Sequence, residues 1–176
     1  INGDTSNMNQ DEKILDQIDQ RADLSKEIAE TVMKTPKLLN TVIDGVNSST
    51  SRVKFRCAKI LKMISESQPE LLLSHWDFFI YLLDSDNSII LWNALDIIAN
   101  LTSVDQEHKF DEIYPRYYQF MEDESMVTAA HVVDNSAKIV VNRQDLQDEI
   151  TMKLLKLNET SRDGECKAIL SGKAIL

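Results

Sequence analysis

Apolar residues recur along the chain at the spacing of helices that bury one face. In the segments 51–64 and 88–101 they fall at i, i+4, i+7 and i+11, which places them in one stripe on a helix surface. The first stripe consists of Val53, Cys57, Ile60 and Ile64. The second consists of Ile90, Ala94, Ile97 and Leu101. Val132 and Ile139 continue the series, so the pattern predicts a repeat of amphipathic helices.

Polar clusters separate the predicted helices at a regular interval. An apolar stretch stands on each side of every cluster, and the clusters follow one another about every 37 or 38 residues. They lie at residues 47–50, 84–87, 122–125 and 159–162. Pro36 and Pro69 each open a stretch before a turn, where the fixed φ and missing N–H of proline suit the first turn of a helix. This arrangement predicts two helices in each repeat.

Composition agrees with a helical fold. The chain of 176 residues holds only four glycines and three prolines, too few for the many turns of a sandwich or a barrel. The hydrophobic content of 43% is sufficient for a sizeable core in a chain of this length. We therefore expect an all-α fold.

The first repeat resembles the HEAT-repeat family. The loose consensus of that family has a proline and a leucine pair in the first helix, an aspartate near its end, and Val-Arg, a small residue and a leucine in the second helix. The matching positions here are Pro36, Leu38, Leu39, Asp44, Val53, Lys54, Ala58 and Leu61. The second repeat lacks the Val-Arg pair, and the third is degenerate, with Pro115 inside its first helix. Armadillo-like repeats of similar length are the alternative.

The resemblance implies a right-handed α–α superhelix, a HEAT-like or armadillo-like solenoid of about four hairpins with an N-terminal helical cap. We expect a disordered or extended acidic tail at 1–10, and capping helices within 11–35, near 11–20 and 22–34. A cap is needed because an end repeat otherwise leaves its apolar face in water. The repeats are expected to occupy 36–176, as hairpins at 36–68, 69–106, 107–143 and 144–176.

Charge and cysteine content indicate which partners and which cellular compartment to expect. The formal net charge of −10 and the pI near 4.7 repel a phosphate backbone, which disfavours nucleic acid as a partner. Cys57 and Cys166 match no disulfide or metal spacing, so a reducing, intracellular and cytoplasmic location is expected. The sequence has neither a long apolar run nor a secretory signal, so we expect no membrane association. The start at Ile1 and the apolar end indicate a part of a longer protein.

Motifs for catalysis and metal binding are missing from the sequence. It contains no G-x-S-x-G, G-x-x-x-x-G-K, H-E-x-x-H or C-x-x-C pattern, and its three histidines are scattered. The acidic run 122–124 lacks the alternating acids and central glycine of a calcium loop, and instead suits a turn before a helix N-terminus. We expect no catalytic residue, no metal, no cofactor and no enzymatic activity.

The most unusual charge pattern is a basic stripe on the second helix of the first repeat. Residues 36–68 carry six basic and two acidic side chains, a net charge of +4, whereas 69–110 carry one and seven, a net charge of −6. Arg52, Arg56 and Lys59 share a helix face opposite the buried stripe. The stripe is either solvated or paired with acids of the next repeat such as Asp96, or it binds an acidic or phosphorylated peptide.

Alignment of the second helices defines candidate contact residues for a partner. In HEAT-like solenoids these helices line the concave surface, and here they place large polar residues of mixed charge in rows. The predicted partner-binding residues are Arg52, Arg56, Lys59, Trp92, Asn93, Asp96, His131, Asp134 and Lys138.

Aromatic residues suggest packing at some positions and contact at others. Trp76 is expected to pack in a first helix, and Trp92 lies either in the core or at the edge of the groove. A further group is denser than one buried face requires, and we expect part of it to form an exposed patch on the convex side. This group consists of Tyr114, Tyr117, Tyr118 and Phe120.

These features favour a non-catalytic protein–protein interaction scaffold that binds a protein or peptide partner through the second helices. The alternative is a nucleic-acid-binding protein similar to the DNA alkylation-repair glycosylases of this repeat class, which use tryptophan and aspartate in the groove. Trp92 and Asp96, four residues apart, permit that comparison, while the net charge opposes it. No residue points to the bilin-handling proteins of the same repeat class. The sequence predicts neither the identity of the partner nor the oligomeric state.

Overall fold

The computed structural model describes residues 9–156, which form nine α-helices joined by short turns, with no β-strand among them. None of these helices combines the length and the apolar character that crossing a membrane requires. The helices are α1 (Gln10–Asp19), α2 (Ser25–Lys34), α3 (Leu39–Gly45), α4 (Ser51–Ser67), α5 (Trp76–Leu82), α6 (Ser88–Leu101), α7 (Phe110–Gln119), α8 (Met126–Asn142) and α9 (Gln147–Leu155). The expectation of an all-α fold with helices packed on helices is confirmed.

Turns separate the helices at three of the predicted positions. The predicted turns at 47–50, 84–87 and 122–125 lie between α3 and α4, α5 and α6, and α7 and α8. Helices α1 and α2 lie in the part of the chain for which capping helices are predicted, and α9 lies in the segment of the fourth predicted hairpin. The turn at 159–162, most of the acidic tail and the rest of the fourth hairpin lie outside the described residues, as does Cys166.

The chain divides into two compact units between Ser74 and His75. In the N-terminal unit, α2 and α3 pack on α4, and α1 packs on α3 and α4. The predicted stripe on α4 is buried here, with Cys57, Ile60 and Ile64 fully enclosed. On the cap, Ile28 and Val32 are buried, while Leu24 and Met33 are half-buried.

Local sequence signals determine where these helices begin. Asn9 and Glu12 form a reciprocal capping box at the start of α1, each side chain accepting a hydrogen bond from the other residue's backbone N–H. Pro36 opens a 3-10 turn that leads directly into α3, and Pro69 opens the corresponding turn before α5. The predicted role of both prolines at a first helical turn is confirmed.

Helices α3 and α4 approach each other closely at Gly45 and Cys57. A Cβ atom on Gly45 would overlap the sulfur of Cys57, and the φ of Gly45 is not positive. The contact therefore requires the missing side chain of glycine and not its backbone freedom. Burial raises the pKa of the Cys57 thiol to about 12, so the thiol stays protonated.

In the C-terminal unit, α6 packs between α5 and α8, and α9 packs on α8. All six residues from 94 to 99 are buried, because α6 has neighbours on more than one side. The predicted stripe of α6 is buried, as are Val132 and Ile139 on α8 and Trp76 on α5. These predictions from periodicity are confirmed.

A buried aspartate starts the third pair of helices. The carboxylate of Asp105 accepts hydrogen bonds from the backbone N–H groups of Lys109 and Phe110, both at 2.9 Å. His108, within this loop, has φ 58°, in the left-handed region that few residues with a side chain adopt. Helix α7 continues through Pro115, as the sequence predicts. Asp105 thus replaces the proline-led turn that opens the two preceding pairs.

The tyrosines of α7 form core contacts, so the predicted exposed aromatic patch is wrong. Tyr114, Tyr117 and Tyr118 are buried, and Phe120 is half-buried. Tyr117 donates a hydrogen bond to the carbonyl oxygen of Leu95 at 3.0 Å, and Tyr118 pairs with the hydroxyl of Ser136 at 3.1 Å. Burial raises the pKa of all three phenols. Tyr117 and Tyr118 fit inside the unit because each hydroxyl finds a partner on a neighbouring helix.

The Gly45→Ala substitution is expected to destabilise the protein by about 1–2 kcal/mol, because overlap with Cys57 outweighs the better helix propensity of alanine. Urea unfolding followed by circular dichroism measures the change. In a Cys57→Ala background the same substitution is expected to cost less, since the sulfur is gone. An equal cost in both backgrounds would contradict the assigned contact.

Candidate functional site

All nine predicted partner-binding residues lie on second helices. Those of the N-terminal unit are on α4, namely Arg52, Arg56 and Lys59. Those of the C-terminal unit are on α6 and α8, namely Trp92, Asn93, Asp96, His131, Asp134 and Lys138. Because α6 and α8 pack side by side, these six residues lie in one region of the C-terminal unit.

Arg56 holds the end of α1. Its Nη1 donates to the carbonyl oxygens of Ile18, at 2.7 Å, and Gln20, while Nη2 donates to that of Arg21 at 3.2 Å. The last carbonyls of a helix lack partners within the helix and carry its negative dipole end. The guanidinium satisfies these carbonyls, so Arg56 caps α1 from a neighbouring helix.

Arg52 and Lys59, on either side of Arg56 along α4, bind the same part of the chain at the end of α1. Nη1 of Arg52 donates to the backbone oxygen of Asp19 at 2.7 Å, and Nζ of Lys59 lies 2.7 Å from Oδ2 of Asp23. The hydrogen bond from Lys59, followed by those from Ser25, holds the pKa of Asp23 well below its usual range. The basic stripe thus finds its partners in α1 and the loop that follows it, whereas Asp96, the alternative partner, bonds to His131 and Asn135.

Trp92 and His131 form a stacked pair where α6 meets α8. Their ring centroids are 5.6 Å apart with an interplanar angle of 16°. Nε1 of Trp92 donates to Oγ1 of Thr128 at 3.0 Å. Both rings are partly exposed, since the side chain of His131 keeps 26% of its accessible surface and Trp92 is half-buried. Trp92 therefore lies at the edge of the core, with its orientation set by α8.

Asp96 supports this pair from below the surface. Its Oδ1 lies 2.8 Å from Nδ1 of His131 and accepts a hydrogen bond from Nδ2 of Asn135 at 2.9 Å. Only 8% of the Asp96 side chain is exposed. The carboxylate is thus engaged inside the unit, and the comparison with glycosylases gains no support because it needs an aspartate that faces the groove.

Hydrogen bonds continue along the contact between the two helices. Nζ of Lys138 donates to Oδ1 of Asn100 at 3.2 Å, and Nδ2 of Asn142 donates to Oγ1 of Thr102 at 3.0 Å. Asn93 instead bonds to its own helix, donating to the carbonyl oxygen of Ile89 at 2.7 Å. Helices α6 and α8 are therefore held in one register along their length.

Exposed apolar side chains lie on the solvent-facing sides of α6 and α8. Ile89 is 41% exposed and Val127 45%, each in the first turn of its helix, and Val141 is 74% exposed near the end of α8. Ile89 precedes Asn93 by one helical turn, and Val127 precedes His131 likewise. We call this surface the α6–α8 face. It comprises Ile89, Trp92, Asn93, Val127, His131, Asp134, Lys138 and Val141.

The sequence predictions missed Ile89, Val127 and Val141. The sequence contains a signal for two of these residues. Ile89 and Val127 are apolar, yet they occupy equivalent positions of two aligned helices outside the buried stripe. Within residues 9–156 no group of three or more His, Cys, Asp or Glu side chains is placed to hold a metal ion.

The Arg56→Gln substitution is expected to destabilise the N-terminal unit by about 1–2 kcal/mol, because three carbonyls at the end of α1 lose a charged donor. Lys54→Gln on the same helix is the matched control, since it makes the same change of charge. Hydrogen exchange should show faster opening of α1 in the first variant only. Equal protection of α1 in both would contradict the capping role.

The Asp96→Leu substitution is expected to destabilise the C-terminal unit by about 2–4 kcal/mol, because the donors on His131 and Asn135 lose their acceptor. Asp96→Asn should cost less, since a carbonyl oxygen can still accept both hydrogen bonds. Urea unfolding followed by tryptophan fluorescence compares the variants. A leucine variant as stable as the wild type would refute the supporting role of Asp96.

Comparisons with known proteins assign no family to this arrangement. A scan against models of known protein families found no match, and a search of curated proteins found no relative.

Proposed function

We propose that the chain is a HEAT-like helical array that acts as a non-catalytic protein-binding scaffold, with the α6–α8 face as its contact surface. The observation that carries the proposal is the Trp92–His131 stack, which is partly exposed yet fixed by Thr128 and Asp96. Tryptophan is among the residues that contribute most to protein interfaces. A ring already held in place loses little further freedom when a partner binds.

Regular packing of second helices supports the repeat assignment. In the C-terminal unit, side-chain hydrogen bonds join residues of α6 and α8 that are 35 to 39 positions apart. In the N-terminal unit, α2 packs on α4, and Lys59 reaches Asp23, 36 positions earlier. A constant offset between stacked helices is the packing expected of repeats in which each unit contacts its neighbours.

The composition of the α6–α8 face favours a protein partner over nucleic acid. Apolar side chains lie at both ends of the face, and polar groups lie between them. Besides the partly exposed His131, Lys138 is the only basic residue of the face, and Asp134 is its acidic residue. The face therefore offers no row of basic side chains to a phosphate backbone. We place this scaffold in a reducing intracellular compartment, which the buried free thiol of Cys57 favours.

The double variant Ile89→Glu/Val127→Glu tests the contact surface. Both side chains are exposed and lie in the first turn of a helix, where an acidic residue complements the macrodipole, so we expect the fold to persist. Binding of a protein partner is expected to weaken about tenfold or more, because two apolar contacts are lost. Quantitative affinity capture followed by titration of each purified partner measures the change.

The matched control is Tyr81→Lys, an exposed apolar residue near the end of α5 in the same unit. It should retain every partner that the wild type binds. Partners that persist with the double variant would refute the α6–α8 face as the contact surface. Tight binding of duplex DNA whose affinity falls steeply with salt would refute the protein scaffold itself.

A further inference from the structure

A groove of about 630 Å³ runs along the N-terminal unit between α1 and α3. This volume lies within the range of ligand-binding clefts, which is about 300–1,000 Å³. Residues of α1, α3, the following turn and α4 form its lining. They are Glu12, Leu15, Asp16, Asp19, Thr41, Asp44, Gly45, Ser48 and Val53.

The floor of the groove is apolar. Leu15 from α1 and Val53 from α4 line it, together with Gly45. Val53 is buried, whereas Leu15 is only half-buried. A half-buried leucine in a concave surface gains stability when another apolar side chain covers it.

The walls of the groove are acidic. Glu12, Asp16 and Asp19 follow one another at i, i+4 and i+7, so they form one row along α1. Asp44 lies on the opposite wall, at the end of α3. Among the residues that the structure describes, the lining contains no basic side chain.

Most of this negative charge is uncompensated within residues 9–156. Arg52 pairs with Asp19 at 3.4 Å, while the bonds described for Glu12 and Asp16 come from neutral donors, the backbone of Asn9 and the amide of Gln20. Arg52 shows how a guanidinium meets this wall: it takes a carboxylate oxygen and a helix-terminal carbonyl together. The other carboxylates offer the same chemistry to an incoming cation.

We propose that this groove docks a basic segment of a partner protein, in which one apolar side chain covers Leu15 and lysines or arginines on either side pair with the acidic walls. Charge complementarity identifies the occupant, because phosphate backbones and anionic lipids are repelled by the same walls. The groove lies in the N-terminal unit, so the inference does not depend on the α6–α8 face.

Fluorescence anisotropy with the full chain tests the proposal. The probe is a short labelled peptide with a central leucine flanked by lysines and arginines. Two further peptides carry serine in place of the leucine or glutamates in place of the basic residues. Binding is expected for the first peptide, weaker binding for the serine peptide, and none for the acidic one.

Asp16→Asn/Asp44→Asn is the decisive variant, because both carboxylates are exposed and their removal leaves the apolar floor intact. It should weaken binding of the basic peptide about fivefold or more. Glu27→Gln/Glu30→Gln on the exposed side of α2 changes the net charge equally and serves as the control. The control should bind as the wild type does.

Three results would overturn the proposal. Equal weakening in both variants would indicate a general attraction between opposite charges. A basic peptide that does not bind, or that binds no better with leucine than with serine, would contradict a docking site with an apolar anchor. Sedimentation showing that the wild type self-associates, and that Asp16→Asn/Asp44→Asn alone abolishes this, would assign the groove to a second copy of the chain.

Discussion

A helix with one apolar stripe gains most of its stability from the neighbour that covers the stripe, and the second helices of this protein are organised around that constraint. The stripe of α4 is covered by α2 and α3, and α6 is enclosed by α5 and α8. Covering one side of a helix leaves the opposite side with positions that the core does not constrain. Apart from the buried Asp96, the candidate contact residues occupy those positions in both units.

The two units use these unconstrained positions differently. On α4 the side chains turn back onto the protein, where Arg56 satisfies the carbonyls at the end of α1. On α6 and α8 they bond across the helix contact and leave Trp92 and His131 partly exposed. A row of polar residues on a repeat helix therefore has two physical uses: it completes the packing of its own unit, or it remains available to another molecule.

Helix positions and buried stripes could be predicted because both depend on local periodicity and on turn chemistry. Whether a polar side chain is exposed or bonded inside the protein could not be predicted, because this depends on which helix lies beside it. From the sequence, Asp96 and Arg56 both look like surface residues. In the structure Asp96 is buried beneath His131, whereas Arg56 caps α1 and reaches Gln20, 36 positions earlier. Tyr114, Tyr117 and Tyr118 exceed the needs of one buried face, so the sequence predicts part of this group on the surface. It does not show that neighbouring helices supply partners for the hydroxyls of Tyr117 and Tyr118.

The way that Arg56 holds α1 has a consequence for how this protein can change. Its acceptors are backbone oxygens, which every residue provides, so the identities of Ile18, Gln20 and Arg21 do not matter to these hydrogen bonds. Selection would act on the arginine alone and leave no matching change at the three positions it binds. Paired substitutions among homologous sequences would therefore fail to reveal the hydrogen bonds between Arg56 and these three carbonyls.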